Sequence, residues 1–210
     1  MISAVSTPCL IAGANSASAT RRIPNSEDEL YWSEDPEDLR EMARRRSEVF
    51  LANHPGVPYP ACVSPYDHAG HILIMRRAGQ IVGGLRLNTA RIGSHERLPL
   101  ECDGFRIDEH VSALSACGGN RAELSGLFAD AHFVTPADTV ALYRAAHVQA
   151  CSLGVSQLIV VAPHANLRLY RVLARQSGWS LHIAPNIDIA PVSERYGITL
   201  TLAYGHLCAS

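Results

Sequence analysis

Two apolar runs, His71-Ile72-Leu73-Ile74-Met75-Arg76-Arg77 and Gln80-Ile81-Val82-Gly83-Gly84-Leu85-Arg86-Leu87, are separated only by Ala78-Gly79. Strand-forming runs joined by so short a turn read as an antiparallel hairpin. A hairpin alone is barely stable in water, so the rest of the chain has to extend and cover it. Gln157 to Ala162 is a short apolar run of the buried-strand kind, and further strands are expected near 180–184 and 198–204. Asp35-Pro36-Glu37-Asp38 opens a helix, with Asp35 as cap, proline at the first position and acids in the first turn. It runs to about Leu51, and Leu39, Met42, Ala43, Arg46, Val49 and Phe50 form its inner stripe. Thr135-Pro136-Ala137-Asp138 starts a second helix that Gly154 ends, and Asn166 to Ser177 forms a third, stopped by Gly178-Trp179.

His54-Pro55-Gly56 and Pro58-Tyr59-Pro60 make a loop, and residues 90–120 are expected to be irregular with a short helix at most. Residues 1–30, rich in Ser, Ala and Thr, read as a flexible tail ahead of a single domain over 31–210. The element order gives an α/β (α+β) domain: a mixed sheet with helices packed on it.

Composition excludes several classes. The net charge of −2 gives no footprint for nucleic-acid binding. All basic residues are arginine, so no lysine is present to act as nucleophile or Schiff-base former. The six cysteines are scattered without a CxxC pair, which argues against metal fingers and points to reduced thiols in the cytoplasm. No stretch has the length of a membrane span and no secretory leader is visible. Asp67-His68-x-x-His71 has too few partners for a metal site, and no tightly bound cofactor is expected.

Glu123 stands in Ala122-Glu123-Leu124-Ser125-Gly126-Leu127-Phe128-Ala129, a run that otherwise reads as an interior strand. Simple alternation places Leu124, Gly126 and Phe128 on one face and Glu123, Ser125 and Leu127 on the other. A carboxylate aimed into such a sheet is costly unless it is hydrogen-bonded or has a chemical task; the alternative is a half-exposed strand with Glu123 in water. Arg86 closes an apolar strand and could grip a carboxylate with both prongs of its guanidinium, or could pair with Glu101 or Asp67.

The element order resembles the GNAT acyltransferase fold, and more closely the acyl-homoserine-lactone synthases and the related N-acyl amino acid synthases. The landmarks are Arg46-Ser47-Glu48-Val49-Phe50, Tyr66-Asp67, Gly84-Leu85-Arg86-Leu87, Glu123-Leu124-Ser125 and Arg175-Gln176-Ser177-Gly178-Trp179. Where the lactone synthases carry an aspartate, a tryptophan and an arginine, this chain has Ser64, Gly56 and Gly126. Several of those residues shape an S-adenosylmethionine pocket, so the N-acyl amino acid synthases fit better, with lactone synthesis from S-adenosylmethionine as the alternative. A non-catalytic domain of the same fold that binds acyl groups or a partner is a third reading.

The resemblance implies a mostly antiparallel central sheet flanked by helices. It also implies transfer of a medium or long acyl chain to the amine of a small acceptor, an amino acid. Glu123 is the expected base, directly or through a water, because amines are mostly protonated at neutral pH. Arg86, Asp67, Arg46, Phe50, Ser125 and Phe128 are expected around the substrates, with Asp67 holding the acceptor ammonium or orienting Arg86. Ala129-Asp130-Ala131-His132-Phe133 replaces the glycine-rich pyrophosphate loop of acetyl-coenzyme A users. That favours a donor held on the phosphopantetheine of an acyl carrier protein, met by Arg144, Arg168 and Arg171, with acyl-coenzyme A also possible.

Overall fold

The structure, a computed structural model, describes residues 28–206 except 58, 115–118, 177–178, 188, 190–192 and 194–196. The expected hairpin is β2 (His71–Arg77) and β3 (Gln80–Arg91), paired from Arg77↔Gln80 to His71↔Leu87. Its turn has positive φ at both Ala78 (45°) and Gly79 (77°), the twist that suits a two-residue hairpin loop. A strand that local pattern did not single out, β1 (Asp28–Ser33), adds antiparallel to β2. It begins inside the stretch expected as a tail, because hydrogen-bond partners on β2 order it; residues 1–27 lie outside the described residues.

Beyond the hairpin, β4 (Asn120–Ala129) pairs antiparallel with β3, and β5 (Val155–Ala162) pairs parallel with β4 through the crossover helix α5 (Pro136–Ser152). The antiparallel strands β6 (Ser180–Ala184) and β7 (Thr201–His206) finish the sheet, whose order is β1-β2-β3-β4-β5-β7-β6. Helix α1 (Pro36–Asn53) starts where the sequence predicts, with Asp35 accepting from the Glu37 N–H at 2.8 Å. Helix α6 (His164–Gln176) follows β5. The stretch expected to be irregular is more ordered than its composition suggests: β3 reaches Arg91, and two short helices, α3 (Pro99–Cys102) and α4 (Ile107–His110), cap the sheet. A further short helix, α2 (Pro65–Ala69), is closed by reciprocal Ser64–Asp67 bonds.

The two faces of the sheet are packed differently. Helices α5 and α6 cover one face with a continuous apolar core that includes Leu124, Tyr143, Val160 and Tyr170. On the other face, α1 buries one cluster around Met42, Ile74 and Phe128, and the α3–α4 segment buries another around Leu100, Ile107 and Ile159. Between those two apolar plugs runs a buried polar stripe: Arg86 opposite Ser125, Asn88 opposite Glu123, and Arg121 bonded to Gln157. Buried polar groups persist only when paired or used, so this stripe is the candidate functional face.

Candidate active site

The site exists because β4 and β5 part company. Their pairing runs only to Leu124↔Val160, after which Val161 and Ala162 bond to β7 alone. On its other edge β4 carries a bulge: Ser125 faces Arg86 and Phe128 faces Gly84, so Gly126 and Leu127 together oppose Leu85. Gly126 sits at φ 62°, the left-handed region that glycine adopts at least cost. A Cβ there would lie 2.9 Å from Arg46 Nη1, so the guanidinium occupies the space a side chain would need.

The bulge corrects the simple alternation expected for this strand. One extra residue reverses the phase, so Phe128 joins the α1 cluster on the Glu123 face while Leu127 packs against the α5 core. Where the strands separate, a cavity of ≈ 450 Å³ opens through the sheet. Its apolar limb reaches Tyr143 of α5 and Tyr170 of α6, and its polar limb reaches Arg86, Glu123, Ser125 and Asp103.

Asp67 organises the polar limb from behind. It is 3% exposed and accepts from Arg46 Nη1 and Nη2 at 3.0 Å, from Arg86 Nη1 at 2.9 Å, and from the Ser64 N–H and hydroxyl. Burial pushes its carboxyl up, but the hydrogen bonds and charge of Arg46 and the charge of Arg86 outweigh this and hold it well below the usual carboxylate range. Its acceptor sites are filled, so it orients the two arginines and has no lone pair left for an acceptor ammonium. Of the two pairings open to Arg86 in the sequence, the structure has Asp67; Glu101 lies instead 3.9 Å from Arg121.

Arg86 is nearly saturated as well. Besides Asp67 and Ser64, its Nε and Nη2 donate to Ser125 Oγ at 3.2 and 3.0 Å, leaving one Nη2–H uncommitted. Both lone pairs of Ser125 Oγ are thereby occupied, so its hydroxyl is available only as a donor. The site thus offers a substrate carboxylate one Arg86 N–H and the Ser125 hydroxyl, not the two-pronged guanidinium grip considered from sequence.

Glu123 is 5% exposed, and its Oε2 accepts the Leu100 N–H at 2.8 Å. Burial pushes its pKa up to about 7, against the pull of the Leu100 N–H and Arg86 and with help from the negative charges of Asp103 and Glu101. A carboxylate poised there can take a proton from an ammonium and release it again near neutrality.

Of the remaining predicted residues, Arg46, Phe50 and Phe128 line the cavity, with the Phe50 ring tilted against Tyr59, their centres 4.3 Å apart. In the Arg44-Arg45-Arg46 run only Arg46 faces the cleft; Arg44 pairs with Glu48, and Arg45 with Glu48 and Asp130. Arg144, Arg168 and Arg171 stay outside on α5 and α6, exposed and without ion-pair partners among the described residues. Among the described residues no group of three or more His, Cys, Asp and Glu could hold a metal ion, and no helix is long and apolar enough to cross a membrane.

Asp103, Tyr143 and the buried Arg121 were not singled out from sequence; each sits in locally ordinary surroundings, and only folding buries it or brings it to the cavity. The expectation of reduced thiols also needs correction. Cys62 and Cys151 are free, but Cys102 is disulfide-bonded. Such pairing depends on proximity in space, which spacing along the chain does not reveal.

No family model and no curated protein sequence matches the chain. Solved structures do. An N-acyl amino acid synthase from uncultured soil microbes, FeeM, matches with a TM-score of 0.61 at 12% identity, over 89% of this chain and 91% of that one. The acyl-homoserine-lactone synthase LasI gives 0.56 at 15% identity, over 91% and 92%. An acyl-CoA N-acyltransferase from Pseudomonas aeruginosa gives 0.51 at 16% identity, over 83% and 98%. The chain has the GNAT-type fold. At such identities the likeness establishes the architecture of this GNAT fold, and the chemistry rests on the residues of the site.

Proposed function

We propose that this protein is an N-acyltransferase that moves an acyl chain from a thioester to the amine of an amino acid. The observation that carries the reading is Glu123, a buried carboxylate poised near neutrality in a cavity with an apolar limb on one face of the sheet and a polar limb on the other. The acyl chain takes the apolar limb and the amine comes from the polar limb. Glu123 accepts a proton from the ammonium, the free amine attacks the thioester carbon, and backbone N–H groups where β4 leaves β5 stabilise the oxyanion. Collapse of that intermediate breaks the C–S bond, and the proton lost by the attacking nitrogen goes to the departing thiolate.

An acyl carrier protein is the favoured donor. Helix α6 carries Arg168, Arg171 and Arg175 with no acidic residue, and Asn166 and Leu169 of the same helix reach the cavity. A basic helix at the mouth suits an acidic carrier. The segment after β4 carries Asp130, held by Arg45 at 2.8 Å, in place of a glycine-rich pyrophosphate loop, which favours a carrier-protein donor over coenzyme A. Incubation with decanoyl carrier protein and a pool of amino acids, read by mass spectrometry, should give an N-acyl amino acid that Glu123→Gln fails to make. Absence of product, or undiminished product with the variant, overturns the proposal. Binding of S-adenosylmethionine in calorimetry would redirect it to lactone synthesis.

A further inference from the structure

The polar limb holds two carboxylates far apart in sequence, Glu123 on β4 and Asp103 at the end of α3, both lining the same space. Tyr66 donates to Asp103 Oδ1 at 3.3 Å, and the Arg86 guanidinium lies over the same Tyr66 ring, 5.5 Å from its centre. Leu100, on the helix that ends at Asp103, gives its N–H to Glu123. One short helix therefore sets both carboxylates relative to the arginine cluster. In that cluster two arginines, Arg46 and Arg86, share one carboxylate, Asp67. The limb is thus dipolar, with a cationic edge at Arg86 and Ser125 and an anionic edge at Glu123 and Asp103.

Two unmet groups point to a ligand of matching polarity. The second carboxylate oxygen of Glu123 takes no hydrogen bond among the described residues, although the side chain is 95% buried. The Ser125 hydroxyl, filled as an acceptor, has no acceptor of its own among the described residues. We propose that Asp103 binds the ammonium of the acceptor beside Glu123 while Ser125 and the uncommitted Arg86 N–H bind its carboxylate, so that the polar limb selects free α-amino acids. This rests on the acyltransferase reading and adds to it the residue that discriminates the acceptor. The proton released by the ammonium goes to Glu123. An amino-acid ester leaves the Arg86–Ser125 edge unmet, and an α-hydroxy acid offers Asp103 a hydroxyl in place of the ammonium.

The test is calorimetric titration of the twenty amino acids, one at a time, and of the methyl ester and α-hydroxy analogue of the tightest binder. Wild type should bind at least one amino acid and bind both analogues at least about tenfold more weakly, each having lost one charge-assisted contact. Asp103→Asn should weaken amino-acid binding by a similar factor and Asp103→Glu should restore part of it, with thermal melts confirming that both fold. In turnover, Asp103→Asn should raise the acceptor KM more than it lowers kcat. It should also move the acid limb of kcat/KM to lower pH. The groups acting on Glu123 are Arg86 from β3, the Leu100 N–H, Glu101 and Asp103; removing one negative charge eases its ionisation. Unchanged binding and an unchanged acid limb in Asp103→Asn overturn the inference while leaving acyl transfer intact. Amino-acid binding that depends on Asp103, without any N-acyl product, overturns acyl transfer while leaving this subsite standing.

Discussion

Replacing Glu123 by Gln should make the protein more stable at alkaline pH while abolishing its chemistry. Glutamine retains an oxygen for the Leu100 N–H and removes the charge that burial disfavours. The carboxyl has an ordinary value of 4.5 and is pushed up to about 7, burial being the largest cause. A raised carboxylate pKa means that the folded state binds the proton more tightly than the unfolded chain does. The stability this contributes is complete below pH 4.5 and is lost as pH rises through about 7. At about 1.4 kcal/mol for each pH unit, that loss reaches about 3 kcal/mol by pH 8. The glutamine of the variant cannot ionise and escapes it. For a domain of this size, about 3 kcal/mol corresponds to roughly 6–12 °C in Tm. Thermal or urea unfolding of both proteins from pH 5 to 8.5 should show a gap that opens with pH in favour of the variant. Parallel curves, or a wild type that gains on the variant as pH rises, would refute the claim that Glu123 is a desolvated carboxylate held against its preference.

The rest of the site makes further demands. Asp67→Asn leaves Arg46 and Arg86 buried without their shared counter-charge and should cost about 3–5 kcal/mol in urea unfolding; a loss below about 1 kcal/mol would mean the arginines find other partners. Gly126→Ala forces a side chain into the left-handed region against Arg46, with an expected loss of about 1–2 kcal/mol from the backbone alone. Pairing it with Arg46→Met in a double-mutant cycle should reveal coupling, and strict additivity would show that the guanidinium does not occupy that space. Charge reversal at Arg168 and Arg171 should slow transfer from a carrier protein, with a weakened salt dependence, and leave transfer from a small pantetheine thioester alone; equal slowing of both donors would place those arginines elsewhere in the reaction.

Much of the architecture was legible because it rests on local rules. The hairpin at Ala78-Gly79, the capped starts at Asp35 and Thr135 and the apolar run at 157–162 each declare themselves within a few residues. Glu123 was legible as an anomaly, a charge in an apolar run, and Arg86 as a charge ending one. The structure decided what no window of sequence contains. β1 is a strand because β2 offers its edge, and α3 and α4 are helical segments because Leu100 and Ile107 have an apolar plug to bury. The bulge at Gly126 reversed the phase of β4, since a single extra residue shows no signature of its own in an alternating pattern. The same bulge made room for Arg46, coupled it with Arg86 to one aspartate and committed most of Arg86's donors to side chains. Asp103 reached Glu123 only through the packing of α3. Sequence by itself determined which residues were chemically out of place; tertiary structure decided which charges neutralise one another, because burial and pairing depend on distances between residues that are remote along the chain.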